Sequence, residues 1–127
     1  MKIATILAVG TGGFLGANLR LYLNGLVNHH FSLFSLPLGT LAVNLLGSFL
    51  IGLLFAIFHH VHVSINIKTF LTTGLLGALT TFSTFSYETF LLLEGGLFLQ
   101  AITNISLNVF GSLTMTYIGI KLANALF

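Results

Sequence analysis

The chain has 127 residues, 56% of them apolar and only 5% charged, where an ordinary soluble domain carries about 25% charged residues. So few charges cannot cover a water-exposed globule, and the solvent must be lipid. The net charge of +2 is too small and dispersed to hold nucleic acid, and the absence of cysteine excludes disulfides, thiolate metal sites and cysteine catalysis.

A helix needs about 20 mostly apolar residues to cross a bilayer. Four segments qualify, so the expected fold is all-α, a single four-helix transmembrane domain over 1–127. The first span runs roughly 3–27. Its opening imitates a signal peptide, but apolar character resumes after residues 10–13, and no cleavage is expected. Gly12 and Gly16 lie four apart, a spacing that lets helix backbones approach closely in lipid. Arg20 sits near the far end of this span. There it either snorkels to the interface or raises the potential for anions at a pore mouth.

The second span runs roughly 38–58 and is entered after Pro37. Thr40, Asn44 and Ser48 recur every four residues, so they share one helical face. Such a stripe cannot face lipid without leaving amide groups unpaired. Ser48 with Gly52 repeats the small-residue spacing.

The third span, roughly 66–93, is longer than a straight crossing requires. It contains Gly74, Gly77, Ala78 and the run "TTFSTFSYE" at 80–88. Glycine weakens a helix, and Ser and Thr offer its backbone competing hydrogen bonds. A break is expected near 77–81, where freed carbonyl oxygens can coordinate a cation. Phe82 and Phe85 lie three apart on one face beyond it. Their ring edges are electropositive and suit a small anion where formal positive charge is scarce. Glu88 follows and is read as capping an interhelical network.

The fourth span runs roughly 97–126 after a short turn at 94–96. Asn104, Asn108, Ser112 and Thr116 form its polar stripe, and Gly119 with Ala123 its small-residue pair. The two stripes fit interhelical hydrogen bonding or the wall of an ion path. The small-residue pairs fit packing within the chain or between subunits. An even number of spans puts both termini on one side with Lys2, Lys68 and Lys121, which the positive-inside rule makes cytoplasmic. The histidines at 29–30 and 59–62 lie at span ends and are read as solvated interfacial turns. No nucleophile–base set or acid pair stands out, so no enzyme is expected.

The runs "GGFLGANLR", "GTLAVNLLGSFLIG", "TTGLLGALTTFSTFSYE" and "GSLTMTYIG" resemble the Fluc-type (CrcB-like) fluoride channels across all four spans. The resemblance implies an antiparallel, dual-topology dimer in the plasma membrane with two pores, each a passive path exporting fluoride. It makes Phe82 and Phe85 the pore phenylalanines, Asn44 a pore-facing polar contact, and Ser112 and Asn108 part of the track on the fourth helix. Thr40 extends the second-helix wall of the same pore. Arg20 matches the family arginine of the first helix and is placed in a vestibule. Gly77 and Thr80 would offer backbone carbonyls to a structural Na⁺ at the dimer axis. The partner is either a second copy or a paired homologous subunit. Asn104 and Asn108 depart from the tyrosine or serine expected there in some relatives, and the lysine bias exceeds what dual topology requires.

A small proton-coupled multidrug exporter is the main rival, but it needs a carboxylate in the first span, which instead carries arginine. A non-conducting assembly subunit fits the glycine faces and leaves the polar stripes without a purpose.

Overall fold

The computed structural model describes residues 1–127, all helix and turn with no strand. Helix α1 is Ile3–His30 and α2 is Leu38–His60. Both are long and apolar enough to cross a membrane. Helix α3 covers 65–79, with a π-helical stretch at Phe70–Leu76. Thr80 and Thr81 then stand in extended backbone (ψ 156° and 116°), and α4 begins at Phe82 and ends at Glu94. Helix α5 covers 98–126, with a second π-helical stretch at Leu107–Gly111.

Short local devices set these boundaries. The Ser64 hydroxyl accepts from the Ile67 N–H at the start of α3, and the Thr81 hydroxyl accepts from the Thr84 N–H at the start of α4. Helix α4 ends in a paired return, Leu97 N–H to Leu92 C=O at 2.9 Å and Gly96 N–H to Leu93 C=O at 3.0 Å. That return needs a left-handed residue, and Gly96 supplies it at φ 77°. The α1–α2 connection is tied by the Asn28 side chain, which accepts from the Gly39 N–H at 2.9 Å. The Asn108 amide donates to the Asn104 carbonyl at 2.9 Å.

Helix α1 packs along α3 and against α2, while α2 packs along the second half of α5; α4 folds back on the first half of α5. Glycine makes the two main seams possible. A Cβ on Gly12 or Gly16 would strike the backbone carbonyls of Phe70 and Leu75, and one on Gly52 would strike that of Thr116. The small-residue pairs of the first and second spans are therefore spent inside the chain.

The core is small: Val43, Leu76 and Leu79, flanked by Leu23, Leu50, Ile51 and Leu54. The polar residues Thr40 and Asn104 are each only 1% exposed, whereas Phe14, Leu21 and Phe110 point outward. Buried amides beneath an apolar exterior reverse the arrangement of a water-soluble protein, as burial in lipid requires. At one end of the bundle His60 bonds Asn124 at 3.1 Å and stacks on Phe127. His60, the last residue of α2, thus meets the end of α5.

Candidate functional site

The extended residues Thr80 and Thr81 organise the site. The Thr80 N–H closes the last turn of α3 on the Leu76 carbonyl at 3.1 Å, whereas the N–H and C=O of Thr81 leave the helical ladder and are taken up by Asn44 of α2. The Thr81 N–H donates to Asn44 Oδ1 at 2.8 Å, and Asn44 Nδ2 donates to the Thr81 carbonyl at 3.2 Å. One side-chain amide thereby replaces a backbone partner, as buried peptide groups require. The second Nδ2 hydrogen goes to Asn108 Oδ1 of α5 at 2.9 Å. Three helices meet on one asparagine.

Beside this junction lies a cavity of about 560 Å³ with no charged residue in its wall. Phe82, Phe85, Asn44, Asn108 and Ser112 line it, together with Gly77 and Thr80. The two phenylalanine rings meet edge-on, with centroids 5.3 Å apart and planes at 68°. Phe85 is buried at 7% exposure and Phe82 is open at 76%.

Hydrogen-bond accounting separates the polar groups of this wall. The Thr72, Thr80 and Thr116 hydroxyls donate to the carbonyls of Lys68, Leu76 and Ser48. The Thr81 hydroxyl donates to Thr84 Oγ1. Both amide hydrogens of Asn44 are committed, and those of Asn108 go to the Asn104 carbonyl and Oδ1. The donors of the lining that no protein acceptor takes are the hydroxyls of Ser48 and Ser112. Ser48 belongs to the second-helix stripe, but sequence reasoning did not single it out as an anion contact. Its signal was the four-residue spacing from Asn44.

Thr40 and Arg20 do not share this cavity. They line a second one of about 340 Å³ with Asn24 and Thr84, and it contains no acidic residue. Thr81 lines both cavities and stands between them. Thr40 Oγ1 and Glu88 Oε1 are both buried without a hydrogen-bond partner within the chain.

For a cation, the site offers carbonyl oxygens. The Thr80 carbonyl accepts no backbone hydrogen bond. The Thr81 N–H that would close a helical turn onto Gly77 is given to Asn44 instead. Unwound carbonyls of this kind suit Na⁺.

A family profile described as "CrcB-like protein, Camphor Resistance (CrcB)" matches residues 7–120. Among relatives named "Fluoride-specific ion channel FluC", one from Sulfurimonas denitrificans is 53% identical over 91% of this chain and 89% of its own length. Another from Campylobacter fetus is 46% identical over 100% of this chain and 99% of its own. One from Methanocaldococcus jannaschii is 49% identical over 98% of both.

Proposed function

We propose, for a chain that belongs to the CrcB-like family and is a fluoride ion channel rather than an enzyme, that the larger cavity is the fluoride path. The observation that carries this reading is its lining: a ring-edge pair and two uncommitted hydroxyls, with no formal charge. Fluoride is small and strongly hydrated, so donors at close range must replace its water. The Ser48 and Ser112 hydroxyls and the edges of Phe82 and Phe85 are the groups free to do so. Asn44 and Asn108 belong to the same wall and hold its shape. A fully charged site would bind the anion too tightly to release it. Thr40 and Arg20 form the vestibule beyond Thr81, where the guanidinium raises the local anion concentration.

The protein works as a multi-pass component of the plasma membrane, crossing it four times with the third crossing interrupted at Thr80–Thr81. Two subunits pair antiparallel, as two copies or as a copy and a homologue, giving two passive export paths. The exposure of Phe82 supports this pairing, because a second subunit would cover a ring that otherwise leaves one side of the path open. Gly77 and Thr80 carbonyls would hold a structural Na⁺ at the pair axis, where the ion supplies a fixed charge and no reaction chemistry.

Efflux from liposomes containing the purified protein tests the reading. Fluoride is expected to leave far faster than chloride, and equal rates would remove selectivity. Phe82→Ile and Phe85→Ile are each expected to cut fluoride efflux severely in a protein that still folds. Unchanged efflux in both would retire the ring-edge contact.

A further inference from the structure

We propose that Asn104 and Thr89, which line neither cavity, are positioning residues that set the orientation of the Phe82–Phe85 pair. The inference rests on the larger cavity being the fluoride path.

The first turn of α4 carries both rings but has little to hold it. Two extended residues precede it, so no continuous backbone ladder joins it to α3. A helix start is also where backbone partners are fewest. Within one subunit Phe82 is mostly exposed, so packing by its own chain fixes the ring weakly. The geometry of the pair must be imposed from the backbone beneath.

A ladder of side-chain hydrogen bonds does this from both ends of the turn. It starts at Thr81, whose peptide N–H and C=O are clamped by Asn44. Asn44 passes its second amide hydrogen to Asn108 Oδ1 at 2.9 Å. Asn108 Nδ2 donates to Asn104 Oδ1 at 3.1 Å, and Asn104 Nδ2 donates to Thr89 Oγ1 at 3.0 Å. The Thr89 hydroxyl donates in turn to the Phe85 carbonyl at 2.8 Å. The ladder therefore begins at the residue before Phe82 and ends on the backbone of Phe85.

Its direction is fixed. Flipping Asn108 would set its oxygen against two oxygens of Asn104. Burial makes each link count, because Asn104, Asn108 and Thr89 are 1%, 6% and 7% exposed and water cannot compete for their partners. Without the Thr89 hydroxyl, the Phe85 end of the turn loses its tie to α5, although no residue lining the cavity is itself substituted.

Thr89→Val removes the hydroxyl at nearly constant volume, and Thr89→Ser restores it. Thr89→Val should lower fluoride efflux about tenfold, comparable to the loss of one net hydrogen bond, with oligomeric state unchanged and a melting temperature that falls, because Asn104 Nδ2 loses its acceptor, without loss of the fold. Thr89→Ser should keep efflux within about twofold, since its donor and acceptor remain. A second readout is independent of flux: the ¹⁹F signal of 4-fluorophenylalanine at position 82. It should be a single line in the parent protein and Thr89→Ser, and broadened or split in Thr89→Val. Thr89→Ala, which deletes the same hydroxyl in favour of a better helix former, serves if valine proves crowded. Parent efflux with unchanged efflux and an unchanged ¹⁹F line in Thr89→Val would overturn the ladder alone. Loss of fold in both the valine and alanine variants would overturn it in favour of a purely structural role. Absence of fluoride efflux from the parent protein would instead overturn the reading of the cavity.

Discussion

Asn44→Ala isolates the contact on which three helices converge. The substitution removes the bond from the Thr81 N–H at 2.8 Å, the bond to the Thr81 carbonyl at 3.2 Å and the bond to Asn108 at 2.9 Å. Interhelical hydrogen bonds in membrane proteins average about 0.6 kcal/mol, so three of them together contribute roughly 2 kcal/mol. The Thr81 N–H also loses its acceptor, and a buried donor left bare costs about 1–3 kcal/mol, less where water enters from the cavity. The expected destabilisation is therefore about 2–4 kcal/mol. Reversible unfolding in bicelles by steric trapping measures it, with fluoride efflux recorded on the same preparation. Asn44→Asp provides a second perturbation. It keeps an acceptor for the Thr81 N–H but, when ionised, turns oxygen toward both the Thr81 carbonyl and Asn108 Oδ1, so it should not rescue. A stability change below about 0.5 kcal/mol, under the average for a single such bond, combined with parent-like efflux, would refute the clamp.

The remaining predictions use different contacts. Gly12→Ala places a methyl group against the Phe70 carbonyl, whereas the neighbouring Gly13→Ala meets nothing within 4 Å. The first should lose about 1–3 kcal/mol through overpacking, and the second should be neutral or gain about 0.5–1 kcal/mol from helix propensity. Thermal unfolding in detergent distinguishes them, and equal behaviour would contradict the α1–α3 seam. Ser48→Ala and Ser112→Ala each delete an uncommitted donor, and fluoride efflux should fall about tenfold in each. Thr116→Val, whose hydroxyl is spent on the Ser48 carbonyl, should fall less. Replacing Na⁺ with N-methylglucamine should lower the thermal stability of the purified assembly if the Gly77 and Thr80 carbonyls hold sodium. An unchanged melting curve with undetectable bound sodium would remove that ion from the account.

Much of this protein is written in local patterns. Six charges among 127 residues exclude a water-soluble fold, and the runs between 3 and 126 give helices because a lipid-exposed backbone must satisfy itself. The four-residue recurrence of Thr40, Asn44 and Ser48 identifies a face of α2 that cannot meet lipid. Periodicity names a face without naming its partner, however. Asn44 pairs with Thr81 and Asn108, 37 and 64 residues away, and no local signal specifies those contacts. The same limit explains why Thr40 and Arg20 lie apart from the other candidates. One helical stripe runs past Thr81 and so borders two cavities.

Small-residue spacing likewise announces close approach and leaves the neighbour open. Only folding places Gly12 and Gly16 against α3 and Gly52 against α5. The ladder from Asn104 to Thr89 was also illegible, because it joins side chains on two helices that only the turn between them brings together. Sequence alone settled the solvent, the helices and the polar faces, since these follow from transfer energies and the period of a single helix. Which amide hydrogens are consumed and which hydroxyls stay free was settled only by the tertiary structure, since a donor's availability depends on what the rest of the chain brings within hydrogen-bond reach.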